Sequence, residues 1–600
     1  MTDVFKPQRR IVYLSIFLLG FLIYANVLNG EFVSDDYVCI VDNDSIKSLD
    51  LSDIYTSYRT RFLTGLTFAL NYSVYQLDVT GYHIVNILFH ILAACLVFTF
   101  LRWLFKTPAL ISTVSESAAF QISTASAFIF LCHPIQTQGV AFITQRAVAL
   151  GTCFYLVALI GYLKGRITGR NRFMVMGFCA MLLGMISKEM TLTIPIMIFL
   201  MEVFLLDGLS RRTFFGLRKV WPFLIGYIFF PILFLQRNTG SYLDLRGQFL
   251  NGMFDWSYFR TELNVLVTYL RFFILPVGQN HEHDVIISHS WLDPIAWGSA
   301  IILAFLIFLG VRQYQKNRIV SFSIFWFFIA TSVEFVVVCV VKRKPIDEHW
   351  MYLSVVGLSL WFAYSAYIIL KNDRMFRRVM SVIVFLLCLM TVHRNIVWQT
   401  EIGFWVDSVS KASRRNAYLG LGIAYTRKGQ LDQAIRAYSE GLQKNPTEER
   451  LFTNFGQVFM KKNQLNEALQ VYKEGLRLNP ANENLLNNLG IVYMKKDRVN
   501  EAIQTFRYLI SVHPEFSSGY YNLGYAYYLI HQDRKAIEMF KKSAEDPIHA
   551  ANAHYYMAEC YFSLNLTADG EKNLRIARSL YEKNRDVERV YSIDERLKEL

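Results

Sequence analysis

Long apolar runs broken by short charged loops fill the first two thirds of the chain. Short amphipathic helices with a fixed period fill the last third. A bilayer core needs about 20 apolar residues in a helix. Runs of that kind near 11–29, 84–104, 117–132, 147–164, 173–187, 191–208, 217–236, 295–311, 319–341, 350–370 and 376–392 predict eleven spans. The first is too long for a cleavable signal, and Asn26-Val27-Leu28-Asn29 lacks a small-x-small cleavage site. Two further apolar stretches, 62–77 and 262–276, read as amphipathic helices on the outer surface. Counting either one alone as a span would reverse the charge bias downstream of it.

From Asn416 onward the pattern repeats every 34 residues. Gly422, Gly456, Gly490 and Gly524 keep that step, as do Ala434, Ala468, Ala502 and Ala536, and the aromatics Tyr438, Tyr472, Phe506 and Phe540. Pro446, Pro480 and Pro514 close three units, and Pro547 closes the fourth one residue early. Small residues let helices approach, the aromatic fills the groove between them, and proline ends the second helix. This is the tetratricopeptide signature. The expected fold class is therefore all-α. A polytopic helical membrane domain covers 1–395, a linker 396–415, and a repeat α-solenoid 416–600, with a degenerate fifth unit and a capping helix.

Composition agrees with a membrane protein: 53% of residues are hydrophobic and only 18% charged, against about 25% charged in soluble chains. The net charge of +13 does not point to nucleic acid, because the basic residues gather in alternate short loops. Examples are Lys164/Arg166/Arg170/Arg172 and Lys371/Arg374/Arg377/Arg378. The positive-inside rule places those loops and the N-terminus in the cytoplasm. An odd number of spans then puts the repeats in a periplasm or a secretory lumen. None of the eight cysteines forms a C-x-x-C pair, so no disulfide framework or zinc site is predicted.

Polar residues cluster where the outer loops meet the membrane. In Phe32-Val33-Ser34-Asp35-Asp36-Tyr37 two carboxylates follow the first span. One of a close buried pair keeps a raised pKa and suits general-base work, although isolated Asp-Asp pairs are also common in solvated loops. On the same face lie His133 to Gln138 with Arg146, then Ser187-Lys188-Glu189, then Arg343-Lys344-Pro345 with Glu348, His349 and Tyr352. Lys188 is either functional or snorkels to the interface. Arg343 and Lys344 break the inside bias and want an anion, either a lipid head group or a substrate phosphate. The run His281-Glu282-His283-Asp284 could hold a divalent ion, but neighbours in a regular run cannot all converge on one ion. No metal and no cofactor is predicted. An acidic site beside several cations suits transfer from a membrane-anchored phosphate donor, and no glycine-rich nucleotide loop is present.

The order of these motifs resembles the transmembrane and tetratricopeptide repeat-containing O-mannosyltransferases and their bacterial relatives, within the C-type glycosyltransferase superfamily. The motifs are Ser34-Asp35-Asp36, Gly81-Tyr82-His83-Ile84-Val85-Asn86, His133-Pro134-Ile135-Gln136-Thr137-Gln138 through Gln145-Arg146, Ser187-Lys188-Glu189, Tyr269-Leu270-Arg271 and Glu348-His349-Trp350-Met351-Tyr352-Leu353. The resemblance implies inverting transfer of a sugar from a polyprenyl-phosphate donor to a protein hydroxyl. Asp35 would be the base and Asp36 its neighbour. Lys188, Arg146, Arg343 and His349 would meet the donor phosphate, while Glu189, His133, Gln138, Glu348 and Tyr352 would position the substrates. Where many relatives have Leu-Tyr-Leu-Pro, this chain has Met351-Tyr352-Leu353-Ser354. The interval 237–294 is too short for the extra lumenal domain of the protein O-mannosyltransferases, so the repeats are expected to capture an exported acceptor. The expected location is a bacterial inner membrane rather than the endoplasmic reticulum. The competing readings are a non-catalytic membrane-anchored scaffold for envelope assembly and a polymerase or ligase acting on lipid-linked polysaccharide.

Overall fold

The computed structural model describes residues 6–206, 223, 254–342, 344–412, 415–584 and 586–599, and every regular element among them is helical. The chain divides into two compact units, Met1–Ala412 and Ser413–Leu600.

In the first unit, seven helices are long and apolar enough to cross a membrane: Pro7–Val27, Val79–Leu104, Ile143–Thr168, Glu189–Leu206, Pro294–Gln313, Arg318–Val341 and Asp373–Ile396. The pair Glu116–Cys132 and Pro134–Ala141, bent by 50°, makes an eighth, and Asn171–Met185 and Ser354–Leu370 are shorter apolar helices. Ten of the eleven predicted runs are thus helical. The eleventh, 217–236, lies outside the described residues apart from Phe223, and Arg343 also lies outside them. The helix through 143–168 is the centre of the bundle, with 83% of its apolar window buried, whereas 373–396 keeps only 17% buried and presents its surface outward. Ile301, Phe305 and Phe308 are exposed along 294–313, a patch that water would not tolerate and acyl chains would cover.

Two local breaks shape one end of this bundle. Proline disfavours helical backbone in the residue before it, and His133 before Pro134 is accordingly extended (φ −74°, ψ 125°). This is where the 116–141 pair bends. At the second break Lys188 is extended between two helical segments (φ −158°, ψ 141°). The start of the helix Phe62–Tyr75 docks onto that break: Leu63 N–H donates to the Ile186 carbonyl at 3.0 Å and Thr64 Oγ1 to the Ser187 carbonyl at 3.1 Å.

The stretch 396–415 is not the plain linker expected of it. It carries the helix Glu401–Lys411, capped by Thr400. Phe404 and Trp405 of that helix are buried against His281 within the first unit.

In the second unit each repeat is a pair of antiparallel helices. The first helices are Arg415–Arg427, Glu449–Lys461, Glu483–Lys495, Ser517–Leu529 and Pro547–Ser563, and Val587–Glu599 follows the fifth pair. A Cβ on Gly524 would sit 2.9 Å from the Phe540 ring, and Gly422, Gly456 and Gly490 meet their own aromatic partners more closely still. The periodic glycine is therefore a steric requirement. The turn between the two helices uses a left-handed residue at the same place in each repeat: Gly429, Asn463, Asp497, His531 and Asn565.

Candidate functional site

Asp35 and Asp36 follow the first span in a tight bend in which Ser34 takes a left-handed conformation (φ 50°). Asp36 points inward and is fully buried. Its Oδ2 accepts from Val33 N–H at 3.1 Å and its Oδ1 from Thr144 N–H at 2.9 Å. Burial, strengthened by the Asp35 charge and opposed by those two bonds, raises its pKa to about 7. Asp35 is exposed by area yet crowded by protein, so it lines a recess. Burial and then Asp347 raise its pKa, while Lys344, Ser34 and Arg61 oppose them.

The loop before the 62–75 helix brings Arg61 to the break at Lys188. Arg61 binds Glu189 in bidentate fashion, Nε to Oε1 at 2.9 Å and Nη2 to Oε2 at 3.1 Å. Lys188 Nζ lies 3.8 Å from the same carboxylate and is buried. Gly151 leaves the space that this demands, since a Cβ there would come 3.0 Å from the Lys188 Cβ.

A third strand of chain, 344–349, closes the recess. Lys344 Nζ bonds Asp347 Oδ1 at 2.9 Å and the His281 carbonyl at 2.5 Å, and lies 3.7 Å from Glu282. Burial works against its charge, but Asp347 and Glu282 outweigh it and raise the pKa. Gln138 ties the segment together: its Nε2 donates to Asp347 Oδ1 at 3.3 Å and its Oε1 accepts from His349 N–H at 2.7 Å. Tyr269 donates its hydroxyl to the Asp347 carbonyl at 2.9 Å. Glu348 accepts from Asn280 N–H at 2.5 Å and from His283 at 3.0 Å. His349 is buried with its Nδ1 unbonded among the described residues. Burial first, then the charges of Lys188, Lys344 and Arg61, hold its pKa well below the usual imidazole value. A neutral imidazole ringed by three cations is a setting for an anion.

The structure thus gathers Asp35, Lys188, Glu189, His349, Gln138 and Glu348 around one recess and adds Arg61, Lys344 and Asp347. It places four predicted residues elsewhere, namely Arg146, His133, Tyr352 and Asp36. Arg146 is fully buried. Its Nε donates to Asn86 Oδ1 at 2.7 Å, Nη1 to the Thr67 carbonyl at 3.1 Å and Nη2 to the Tyr82 carbonyl at 3.1 Å. Asn86 in turn donates to the carbonyls of Val140 and Ile143 at 3.2 Å, so the cluster supports the turn whose Thr144 holds Asp36. His133 uses both ring nitrogens internally, on the Phe273 carbonyl at 2.9 Å and Ile135 N–H at 3.2 Å. Tyr352 donates to His90 Nδ1 at 2.6 Å, because the other His90 nitrogen is committed to the Leu131 carbonyl. Asp36 sits behind Asp35 rather than beside it in the recess.

Sequence reasoning overlooked Arg61 and Asp347. A signal existed for the first: Arg59-Thr60-Arg61 stands directly before an apolar run, at the end of an otherwise acid-rich loop, against the charge bias expected of that loop, as with Arg343 and Lys344. Among the described residues, no three side chains of His281 to Asp284 come together around one point, although His281 Nε2 lies 3.9 Å from Glu282 Oε1. His283 serves Glu348, and the His281 carbonyl serves Lys344. Among the described residues, the group of three ligand-type side chains close enough for one ion is Glu483, His513 and Glu515, in the repeats.

Two repeat families match the second unit: one described as "Tetratricopeptide repeat" at residues 416–447, and one described as "TPR repeat" at 456–497. A Caenorhabditis elegans protein named protein O-mannosyl-transferase F38B6.6 is 27% identical over 460 residues, which cover 72% of this chain and 62% of that protein. Drosophila melanogaster protein O-mannosyl-transferase Tmtc3 is 24% identical, covering 73% of this chain and 56% of its own. Human protein O-mannosyl-transferase TMTC3 is 22% identical, at 72% and 51%. The chain therefore spans less than two thirds of the length of these relatives. Among solved structures, MamA is 24% identical over 29% of this chain with a TM-score of 0.26. YrrB, a TPR protein with an unusual peptide-binding site, is 16% identical over 33% with a TM-score of 0.27. The resemblance read from the motifs thus extends to named protein O-mannosyl-transferases that match nearly three quarters of the chain.

Proposed function

We propose that this protein is an integral-membrane inverting glycosyltransferase. It moves a sugar from a polyprenyl-phosphate donor to a hydroxyl of an exported protein held by the repeats, on the non-cytoplasmic side of the membrane. One arrangement carries the reading: the exposed Asp35 carboxylate stands at the rim of a recess where Lys344 and Arg61 act on its charge, Arg61 and Lys188 share the Glu189 carboxylate, Lys344 is bonded to Asp347, and all three cations act on the buried His349. The donor phosphate occupies the cationic side. The acceptor hydroxyl gives its proton to the Asp35 carboxylate as its oxygen bonds to the anomeric carbon from the face opposite the phosphate. The carbon–oxygen bond to phosphate breaks, and the lipid phosphate leaves with the electron pair. The three cations stabilise the charge that develops on it. Asp36 fixes the bend that presents Asp35. Arg146, His133 and Tyr352 hold the surrounding helices rather than touch the donor.

A transfer assay in nanodiscs with radiolabelled polyprenyl-phosphate sugars and an exported-protein extract tests this. Wild type should label protein. Asp35→Asn should lower kcat by about 10²–10⁴, the usual worth of a positioned general base, with the protein folded and the donor still bound. Full activity in Asp35→Asn would sink the mechanism. Label on a glycolipid instead of protein would favour a polysaccharide-directed enzyme.

A further inference from the structure

The first helices of successive repeats pack against one another, while the second helices have few contacts with their counterparts. The stack therefore curves with its first helices on the inside, and their half-exposed residues form one continuous inner face. Its chemistry changes along its length.

From the second repeat into the start of the fourth the face is amide-rich and basic. Asn522 Nδ2 donates to Asn487 Oδ1 at 2.7 Å. The pair makes no other hydrogen bond among the described residues. It therefore keeps a free NH2 on Asn487 and a free carbonyl on Asn522, side by side. A donor next to an acceptor is the complement of a peptide group in an extended chain. Carboxylates of the first helices in repeats two to four are confined to the opening residues Glu449 and Glu483. Glu449 is already bonded to Asn479 at 2.9 Å. At the other end of the same two helices, Lys461 and Lys495 are exposed, 34 residues apart, and without an ion pair among the described residues.

In the fourth and fifth repeats the face becomes a wall of tyrosines. Tyr556 lies 5.2 Å from Tyr525, 5.4 Å from Tyr528 and 5.4 Å from Tyr555, ring centre to ring centre, and all are only half-buried. Rings partly open to solvent with polar tips are platforms for aromatic or prolyl side chains.

We infer that this inner face selects an extended, acidic polypeptide segment with an aromatic or prolyl end. The Asn487–Asn522 pair holds the backbone, Lys461 and Lys495 take carboxylates, and the tyrosine wall takes the rings. The inference rests on the reading of the repeats as the acceptor-binding half and names the class of acceptor.

The test uses the full chain in nanodiscs without any sugar donor, so that it reads binding apart from catalysis. Three fluorescein-labelled peptides are compared by anisotropy: one rich in Asp and Ser and ending in tyrosines, the same with Lys for Asp, and the same with Ala for Tyr. The acidic tyrosine peptide should bind about tenfold more tightly than either control, by charge complementarity and ring contact. Lys461→Glu combined with Lys495→Glu should invert the preference between the Asp and Lys peptides. That gain of binding cannot come from misfolding. Asn522→Ala should weaken all three peptides. Equal binding of the three peptides, no binding of any, or a preference that survives the double charge reversal would overturn the inference. Failure of the transfer assay with intact peptide selection would instead fault the catalytic reading.

Discussion

Two neighbours pull the Asp35 carboxyl in opposite directions. Asp347 raises its pKa and Lys344 lowers it, and the two are bonded to each other at 2.9 Å. A general base works only when ionised, so the rate should fall as pH drops through the Asp35 pKa, which burial and Asp347 raise from the ordinary aspartate value. Asp347→Asn removes a like charge and frees Lys344, and both changes favour the carboxylate. The acid limb of kcat/KM should then move to lower pH. Lys344→Met should move it to higher pH. A pH–rate series for the two variants checks this, and shifts of the same sign would count against Asp35 as the titrating base. Arg146 calls for a different expectation. With its guanidinium spread over three helical partners and no exposed surface, Arg146→Lys leaves carbonyls unpaired around a buried charge. The loss should be roughly 3 kcal/mol or more, read as a lower melting temperature of the detergent-solubilised chain. A raised KM for donor at unchanged melting temperature would place Arg146 on the phosphate after all.

At the scale of elements, the periodic glycines separate what packing requires from what sequence merely prefers. Alanine is the better helix former, yet Gly490→Ala should destabilise the repeats. Its Cβ would press into the Phe506 ring, and overpacking of this kind costs about 1–3 kcal/mol. Urea unfolding followed by circular dichroism would show it, and a neutral or stabilising result would mean that the ring can swing aside. The repeats and the spans were legible in the sequence for the same reason: each is a local pattern, 34 residues or about 20, that one element satisfies by itself. The helix 401–411 was not, because it is short and its apolar content is concentrated in Phe404, Trp405 and a few neighbours. Arg61 and Glu189 were illegible as a pair because 128 residues separate them and only the docking of 62–75 onto the 186–189 break joins them. Arg146 and Lys188 looked alike in sequence, as cations beside apolar runs. What distinguishes them is how many backbone carbonyls surround each one, which no spacing rule records.

For the molecule as a whole, the chain divides after Ala412, and the proposed transfer and the proposed capture of acceptor fall in different units. The recess draws every residue from the first unit, from Asp35 to His349, and the inner face of the solenoid draws every residue from the second. If the repeats act by holding an acceptor near the recess, their contribution is an effective concentration, of millimolar order for a flexible tether. They do not contribute a catalytic group. A chain ending at Ala412 should then keep its turnover with a short Ser/Thr peptide supplied at saturating concentration, within about twofold in kcat. Its kcat/KM for an exported protein should fall by about tenfold or more, the loss of binding energy remote from the reacting atoms. Lys461→Glu with Lys495→Glu in the full chain should reproduce the second effect without the first. Loss of turnover on the short peptide in a shortened chain that remains monodisperse would mean that the repeats complete the recess. The separation of roles drawn from the two-unit architecture would then be wrong.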